Sequence, residues 1–371
     1  MFNAFYYIII FIVFTTNLYS DNNSTVSRYI RPICDINSSS INFNDINKSA
    51  IPETNYIDIS QQFLSGKVID YSRYIDDTLC NVLSFGDNNI TYKKKLKSKK
   101  EDVDTFFQSD KFIEETDETF VSLRLEYDMI TEDINKFSMG LSARLPLSSS
   151  RKRFNIFIDG VNQDNLKKVT SSDKSKSRPE IGINYFAPVF NTIKSRYSIG
   201  FHGINPFTSA RYLIKTNFRN WKIEPVQQFR YSTQDRFEEQ TDIYFDKELT
   251  KSTLFRITLH RKTLIDKQGM DYSISLSNYW LFENKAGLNI SQSFLGNTKY
   301  RYSTNNPVNP KETKQYDGIN NYVTAINFRK SIWRKWLFYD ITPSINFQKQ
   351  YDYKINYRLD FFINLYFGHL R

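Results

Sequence analysis

The chain has few of the residues on which most catalytic and metal sites depend. Its 371 residues include three histidines and two cysteines, and the histidines stand in no HExxH or other metal-ligand spacing. A P-loop, a Rossmann glycine pattern and a GxSxG nucleophile motif are absent as well. We therefore predict no catalytic residue, no metal and no cofactor. The residues concerned are His202, His260, His369, Cys34 and Cys80.

The two cysteines have no neighbouring histidine and make a poor metal site. Both lie upstream of the strand-rich region described below, in a segment for which we predict a periplasmic location. That compartment permits a disulfide between Cys34 and Cys80, and two unpaired thiols are the alternative.

The chain also lacks a long hydrophobic run. The apolar stretch from Phe5 to Phe14 is too short to span a membrane as a helix, and no other window reaches about 18 consecutive apolar residues. A helical membrane protein is therefore excluded. Polar residues and the small Ser20 follow this stretch, which is typical of an export signal, although no Lys or Arg precedes it. We predict a signal peptide at 1–20, with an anchor helix or a buried core segment as the alternative.

The composition combines a polar average with many aromatic residues. The chain contains 25 Tyr and 31 Phe, and its mean hydropathy is −0.53. A transmembrane β-barrel has this combination, because only alternate residues meet lipid. The formal charge is +10. An exported chain rarely meets nucleic acid and no aromatic-basic recognition motif is present, so we predict lipopolysaccharide phosphates or anionic lipid headgroups as the counter-charges.

The clearest alternation of apolar and polar residues is YKINYRLDFFINLYF at residues 353–367. Large apolar side chains occupy one parity from Ile355 to Phe367, and the other parity holds polar residues such as Lys354, Asn356 and Arg358. A period of two is that of a strand. The length exceeds the roughly 9–11 residues that a tilted strand needs to cross a bilayer. We interpret this stretch as the closing strand of a transmembrane barrel, the part that the barrel assembly machinery would recognise during insertion.

Similar alternation begins at Glu118 and continues to the end of the chain, giving about 14 candidate strands. A weak pair around residues 188–207 leaves 12 as the alternative, and both numbers are even, as a barrel with two periplasmic termini requires. A soluble β-sandwich also alternates, but it needs neither aromatic residues at so many strand ends nor a sorting of loops by length. We predict an all-β fold, an antiparallel transmembrane β-barrel over residues 117–371. The predicted periplasmic turns are short, at 146–152, 219–220, 248–251, 281–284 and 331–334, and the predicted outer loops are 162–177, 263–268 and 297–316.

Residues 21–116 differ from the rest, because they are Ser- and Asn-rich at first and have few periodic apolar residues. We predict a loosely structured periplasmic segment. Apolar residues at three- and four-residue spacing predict one helix near residues 68–83, with Asp70 as a potential N-cap. We expect this helix to pack against the periplasmic rim; plugging the lumen, lying on the membrane or docking on a partner are alternatives. The run of six lysines at 92–102 is typical of a solvated linker.

Several stretches together resemble an uncharacterised family of proteobacterial outer-membrane β-barrel proteins. They are ETFVSLRLEY, MGLSARLPLSSSRKRFNIFIDG, PFTSARYLIKTNFRNWKIEPVQQFRYSTQDRFEEQTDIYFDKEL and WRKWLFYDITPSINF, with TFFQSDKFIEETDETF as a match to the family's leader. The resemblance covers about the last two thirds of the chain. It implies the barrel fold and a bacterial outer-membrane location, and it carries no established activity and no catalytic residues.

The side chains predicted to face the lumen mix both charge signs. A packed salt-bridge network and an unselective pore would both use such a mixture. The bore of a 12–14-strand barrel is narrow, and side chains or the N-terminal segment could fill it. On one outer loop, Lys167, Lys168, Lys174, Lys176 and Arg178 could meet lipopolysaccharide phosphates, although a solvated charged loop is the commoner case. The lumen set is Arg124, Glu126, Arg144, Glu180, Arg196, Arg211, Lys215, Glu224, Arg230, Asp242, Arg256, Asp340, Arg358 and Asp360.

The sequence thus predicts a structural or pore-like outer-membrane barrel without catalytic chemistry. The alternative is an outer-membrane hydrolase acting on lipid or peptide. Parity places His260 in the lumen, with Asp242 on one neighbouring strand and Ser273, Ser275 or Ser277 on the other, and a Ser–His–acid set could be assembled from these. A barrel lumen is normally full of such residues bonded to one another, which favours the non-catalytic interpretation.

Overall fold

The computed structural model describes residues 56–82, 103–107, 119–131, 135–147, 154–160, 179–190, 192–283, 285–303, 313–334 and 336–368. The predicted signal peptide, Cys34, the lysine run, the basic outer loop and His369 lie outside these ranges. Within them the chain forms helices α1 (Tyr56–Val82) and α2 (Val103–Phe107), a 3-10 turn (Lys349–Tyr351) and fifteen strands. The strands are β1 (Phe120–Ile130), β2 (Lys136–Leu147), β3 (Phe154–Asp159), β4 (Glu180–Phe186), β5 (Ile193–His202), β6 (Asn205–Ile214), β7 (Thr216–Phe218), β8 (Trp221–Ser232), β9 (Arg236–Thr250), β10 (Thr253–Leu264), β11 (Met270–Phe282), β12 (Ala286–Ser303), β13 (Thr313–Ser331), β14 (Leu337–Gln348) and β15 (Ile355–Gly368).

The strands form one closed antiparallel sheet. Except for β6 and β7, successive strands pair with each other, and β1 pairs with β15 from Phe120↔Gly368 to Ile130↔Arg358, which closes the cylinder. Strands β6 and β7 both pair with β8 and act as one strand interrupted at Lys215. The barrel therefore has 14 strands, which confirms the predicted fold class, and the alternative of 12 is wrong. We call the end that holds Phe120 and Gly368 the lower end and the opposite end the upper end.

The polarity of the barrel is inverted relative to a soluble protein. Across the β1–β15 pair, Arg124 lies opposite Asn364 with both side chains fully buried inside, while Leu123 lies opposite Leu365 on the outside. This follows from the strand period, because successive side chains point to opposite faces. Exposed aromatic rings stand near both ends of the outer face, as in the aromatic girdles of membrane barrels. They include Phe137, Phe201 and Tyr231 at the upper end and Phe218, Phe282 and Trp333 at the lower end.

One outward patch on β8, β9 and β10 is polar, which parity alone did not predict. The Gln227 amide donates to Glu239 Oε1 at 3.1 Å and accepts from the Thr241 hydroxyl at 2.6 Å. Arg261 Nη2 donates to the same Glu239 oxygen at 2.5 Å. These side chains satisfy one another, which lowers the cost of placing polar groups on an apolar surface.

Connections of two to six residues occur at both ends of the barrel, and only the longest ones distinguish the ends. The two longest, 160–179 and 304–312, lie at the upper end, while the connections 219–220, 251–252, 283–285 and 332–336 lie at the lower end. The predicted loop at 297–316 is too long, because β12 and β13 pair as far as Ser303↔Thr313. Bulges at Leu295/Gly296 and Asn297/Tyr300 shift the register there. A bulge breaks the period-two pattern while pairing continues, so the sequence looks like a loop.

Helix α1 contains the predicted helix but begins about a dozen residues earlier, at Tyr56. Asp70 is therefore mid-helix and not an N-cap; it lies 4.0 Å from Arg73 one turn on. The buried face of α1 holds Gln61, Ser65 and Ser72. The sequence pattern did not predict the first half of the helix, because the buried face is polar and shows no apolar periodicity.

Helix α1 docks on the lower end of the barrel. The Gln61 amide donates to the Tyr366 carbonyl at 3.4 Å, and the Gly368 amide donates to the Ser65 hydroxyl at 3.2 Å. Asp58 forms an ion pair of 2.6 Å with Arg334 in the connection between β13 and β14. The rim contact that we predicted for the helix is therefore present. Among the described residues, no helix is both long and apolar enough to span a bilayer.

The outward face can be tested against the inward face on one strand. Ile257 and Thr258 are neighbours on β10, with Ile257 outward and Thr258 inward, and both are half-buried. We expect Ile257→Lys to lower the free energy of unfolding by about 2–4 kcal/mol, because the ammonium enters the apolar band. Thr258→Lys is the matched control and should cost clearly less. Urea titrations in lipid vesicles, followed by heat-modifiable gel migration, measure both; equal losses would contradict the assigned polarity.

Candidate functional site: the barrel lumen

The charged side chains of the lumen form ion pairs, some between neighbouring strands and others within one strand or between strands that are not neighbours. Arg230 makes two hydrogen bonds to the Glu180 carboxylate, at 3.0 and 3.2 Å, and His202 Nδ1 lies 3.0 Å from the same carboxylate. The structure thus favours the interpretation of the mixed charges as a bonded network. Further pairs are Arg144–Asp159 at 2.7 Å, Lys215–Glu224 at 3.7 Å, Arg256–Asp246 at 2.6 Å, Arg329–Asp340 at 3.3 Å and Arg358–Asp360 at 2.8 Å.

Solvent exposure within the lumen changes along β9 and β10. At the lower end the side chains of Arg256 and Asp246 are 4% and 5% exposed. Two inward positions higher on β10, beyond Thr258, His260 is 25% exposed, and near the upper end Lys262 and Glu238 are 12% and 14% exposed. Among these charged side chains, Arg256 and Asp246, which lie beside helix α2, are the least exposed.

A chain of hydrogen bonds crosses β1, β15, β14 and β13 near the lower end. Arg124 Nε donates to the Asn364 carbonyl oxygen at 2.8 Å, and the Asn364 amide donates to Asp340 at 2.5 Å. Asp340 accepts from Arg329, whose other terminal nitrogen donates to the Tyr366 hydroxyl at 2.5 Å. All five side chains are nearly inaccessible to solvent, so each charge depends on its partners rather than on water.

Helix α2 lies inside the lumen at this lower end. Its Asp104 carboxylate accepts two hydrogen bonds from Arg256, at 2.7 and 3.0 Å. The neighbouring Phe106 and Phe107 are buried among barrel side chains, with ring centroids 6.0 Å from Phe338 and 5.3 Å from Tyr279 respectively. Burying each phenylalanine contributes roughly 1.5–3 kcal/mol. The N-terminal segment therefore fills part of the bore, which was one of the two ways of filling that we anticipated.

Gly287 on β12 creates the space for these rings. A Cβ atom at this position would lie 2.6 Å from Phe106 Cε1 and 2.8 Å from Phe107 Cζ. A glycine is therefore required for the rings to approach the wall so closely. Nothing in the strand pattern identified this contact, since a lone glycine in a strand has many explanations. The adjacent phenylalanines in a polar stretch were the one sequence signal available.

The structure brings together part of the proposed Ser–His–acid set. His260 Nδ1 lies 2.6 Å from Asp242 Oδ1, as parity suggested. Ser273 is the register partner of His260, while the Ser275 hydroxyl bonds to that of Ser293 at 2.8 Å. In the part of the chain that the structure describes, no hydrogen bond joins His260 to any of the three candidate serines. The geometry supplies the acid and the histidine but does not align a nucleophile.

Three carboxylates that could hold a metal ion also meet in the lumen. Ligand atoms of Glu126, Asp128 and Asp360 lie within 4.8 Å of one another. The Arg358 guanidinium lies 2.8 Å from Asp360 and 3.5 Å from Asp128. A cationic side chain thus already interacts with two of the three, and the prediction of no metal stays a prediction.

Comparisons with known proteins do not identify a family for this chain. No protein-family model matches the chain and no curated protein matches its sequence, so the resemblance to a proteobacterial family stays a prediction. Solved structures that match include OmpT of Vibrio cholerae (8% identity, 67% of this chain, 97% of that chain, TM-score 0.40) and the outer-membrane channel DcaP of Acinetobacter baumannii (8%, 67%, 96%, 0.37). The KdgM porin with disordered oligogalacturonate matches at 7% identity over 66% of this chain and 98% of that one, with a TM-score of 0.31. Scores this low carry no argument about this chain.

The buried Arg329–Asp340 pair gives a stability test. Asp340→Asn should lower the free energy of unfolding by about 3–5 kcal/mol, because it leaves Arg329 buried without its counter-charge. The double variant Arg329→Met, Asp340→Leu should recover most of this loss, since replacing both partners by apolar residues is often neutral. Glu248→Gln, which breaks an exposed pair with Lys222, is the control and should cost less than about 1 kcal/mol. Urea titration of vesicle-embedded protein measures all three, and an Asp340→Asn loss no larger than that of the control would contradict the account.

Proposed function

We propose that the chain is a pore-like protein of the bacterial outer membrane with no catalytic chemistry. The observation that carries this is a closed barrel with an apolar outer face and a lumen lined by polar and charged side chains. Such a lumen is compatible with water, and His260, Lys262 and Glu238 on the β9–β10 wall remain partly exposed. The exterior matches hydrocarbon and the aromatic rings match the two membrane interfaces.

We propose that the lower end faces the periplasm and the upper end the exterior. Outer-membrane barrels have short periplasmic turns and longer outer loops, and the two longest connections, 160–179 and 304–312, lie at the upper end. This orientation places α1, α2 and Gly368 on the periplasmic side. The partners are then outer-membrane lipid around the outer face and lipopolysaccharide near the basic loop at 167–178, with the barrel assembly machinery engaged during insertion.

Single-channel recording in planar bilayers tests the proposal. The wild-type chain should give infrequent channel openings, because α2 occupies the lower end of the lumen. The openings should discriminate little between cations and anions, since the lumen carries both charge signs in paired side chains. The variant Asp104→Asn, Phe106→Ala, Phe107→Ala, which we call the unseated variant, serves as the open reference. Silence of both chains across voltage and salt would rule out a pore.

The Asp242–His260 contact is the specific observation that favours a hydrolase as a second candidate. His260→Ala discriminates between the two functions. We expect no ester or peptide turnover above background in wild type, and unchanged folding and channel behaviour in the variant. Turnover by the wild-type chain that is lost in a folded His260→Ala chain would replace the pore by an enzyme.

A further inference from the structure

The lower end of the lumen contains a site that binds one carboxylate and two aromatic rings. Arg256 presents two edges of its guanidinium to two carboxylates. Nε and Nη2 donate to Asp246 on the wall, at 2.6 and 2.7 Å, and Nη1 and Nη2 donate to Asp104. Because a guanidinium has five donors in a fixed fork, the edge that faces the lumen is a defined carboxylate position.

The ring positions beside it are equally defined. Tyr279 and Phe338 meet the rings of Phe107 and Phe106 edge to face, at 64° and 82°. The Arg329 guanidinium lies 6.0 Å from the Phe106 ring, close enough for a cation–π contact. The space over Gly287 completes the pocket. Every wall group comes from the barrel, and every occupying group comes from α2.

The occupant is not part of the barrel's hydrogen-bonded ladder. Helix α2 has five residues, and a helix of that length is not stable by itself. Its place therefore depends on the side chains that bind the wall. We propose that this site is a receptor for an acidic–aromatic peptide segment, and that the chain occupies it with its own residues 103–107 as a releasable plug. The effect on conduction rests on the proposed pore function; the binding itself does not.

Thiol accessibility measures the plug without reference to conduction. Ser277 is a buried lumen residue that pairs in register with Arg256. In a full-length chain with Cys34 and Cys80 replaced by serine, we introduce Ser277→Cys and measure its alkylation rate in detergent micelles. Adding the three substitutions of the unseated variant should raise this rate at least about tenfold, because the plug then leaves its site. Asp104→Asn alone should give a smaller rise in the same direction.

Two controls make the result specific. Asp159→Asn breaks another lumen pair, with Arg144, that does not touch α2, and it should leave the alkylation rate of Ser277→Cys unchanged. A capped peptide of sequence VDTFF, added to the unseated variant, should restore slow alkylation, whereas VNTFF should protect at least about tenfold less well, since it lacks the carboxylate that Arg256 binds. Heat-modifiable migration confirms that each variant is folded.

The outcomes separate the two proposals. Equal alkylation with and without the three substitutions, or faster alkylation that VDTFF does not reverse, would overturn the plug. Faster alkylation reversed by VDTFF, together with silence of both chains in bilayers, would keep the plug and reject the pore. If both hold, the unseated variant should open at least about tenfold more often than wild type, and VDTFF should block it.

Discussion

A peptide group has no hydrogen-bonding partner in hydrocarbon, and the architecture follows from that constraint. Fourteen strands satisfy one another only if the first meets the last, and the β1–β15 ladder does this over eleven register pairs. Closure of the sheet then fixes which side chains face lipid and which face the lumen. One parity must be apolar, and the other can be polar because it never meets lipid. The outer polar patch around Glu239 is consistent with this rule, because its members bond to one another.

The interior meets the opposite problem, since charges are held where little water reaches them. The lumen resolves it by pairing, and Arg329 and Asp340 near the lower end are almost inaccessible to solvent. Pairs of this kind contribute more to a defined arrangement than to net stability. The Asp242–His260 contact is one such pair, and within the described residues no candidate serine is hydrogen-bonded to His260.

The contacts of helix α2 at the lower end of the lumen combine apolar packing with a paired charge. Helix α2 brings a carboxylate and two rings to a wall that supplies a guanidinium edge, aromatic faces and an open space at Gly287. Nearby, α1 binds the rim through Gln61, Ser65 and Asp58. The N-terminal segment is thus tied to the barrel at two places, one on the rim and one inside, so the segment and the lumen belong to the same functional unit.

The sequence alone predicted the barrel and the inward position of residues such as Arg256 and His260, because a period of two is local and is read directly from neighbouring residues, whereas the choice between 12 and 14 strands needed the structure. It also placed His260 and Asp242 on the same face of neighbouring strands, while the register that brings them into contact is set by the connection between β9 and β10. It did not predict the start of α1, the extension of β12 and β13, or the binding of α2 inside the lumen. Those features depend on polar helix contacts, on bulges that shift parity, and on a glycine opposite two phenylalanines about 180 residues away in the chain. Only the closed barrel brings such distant groups together, because no local pattern records which side chains will meet across a lumen.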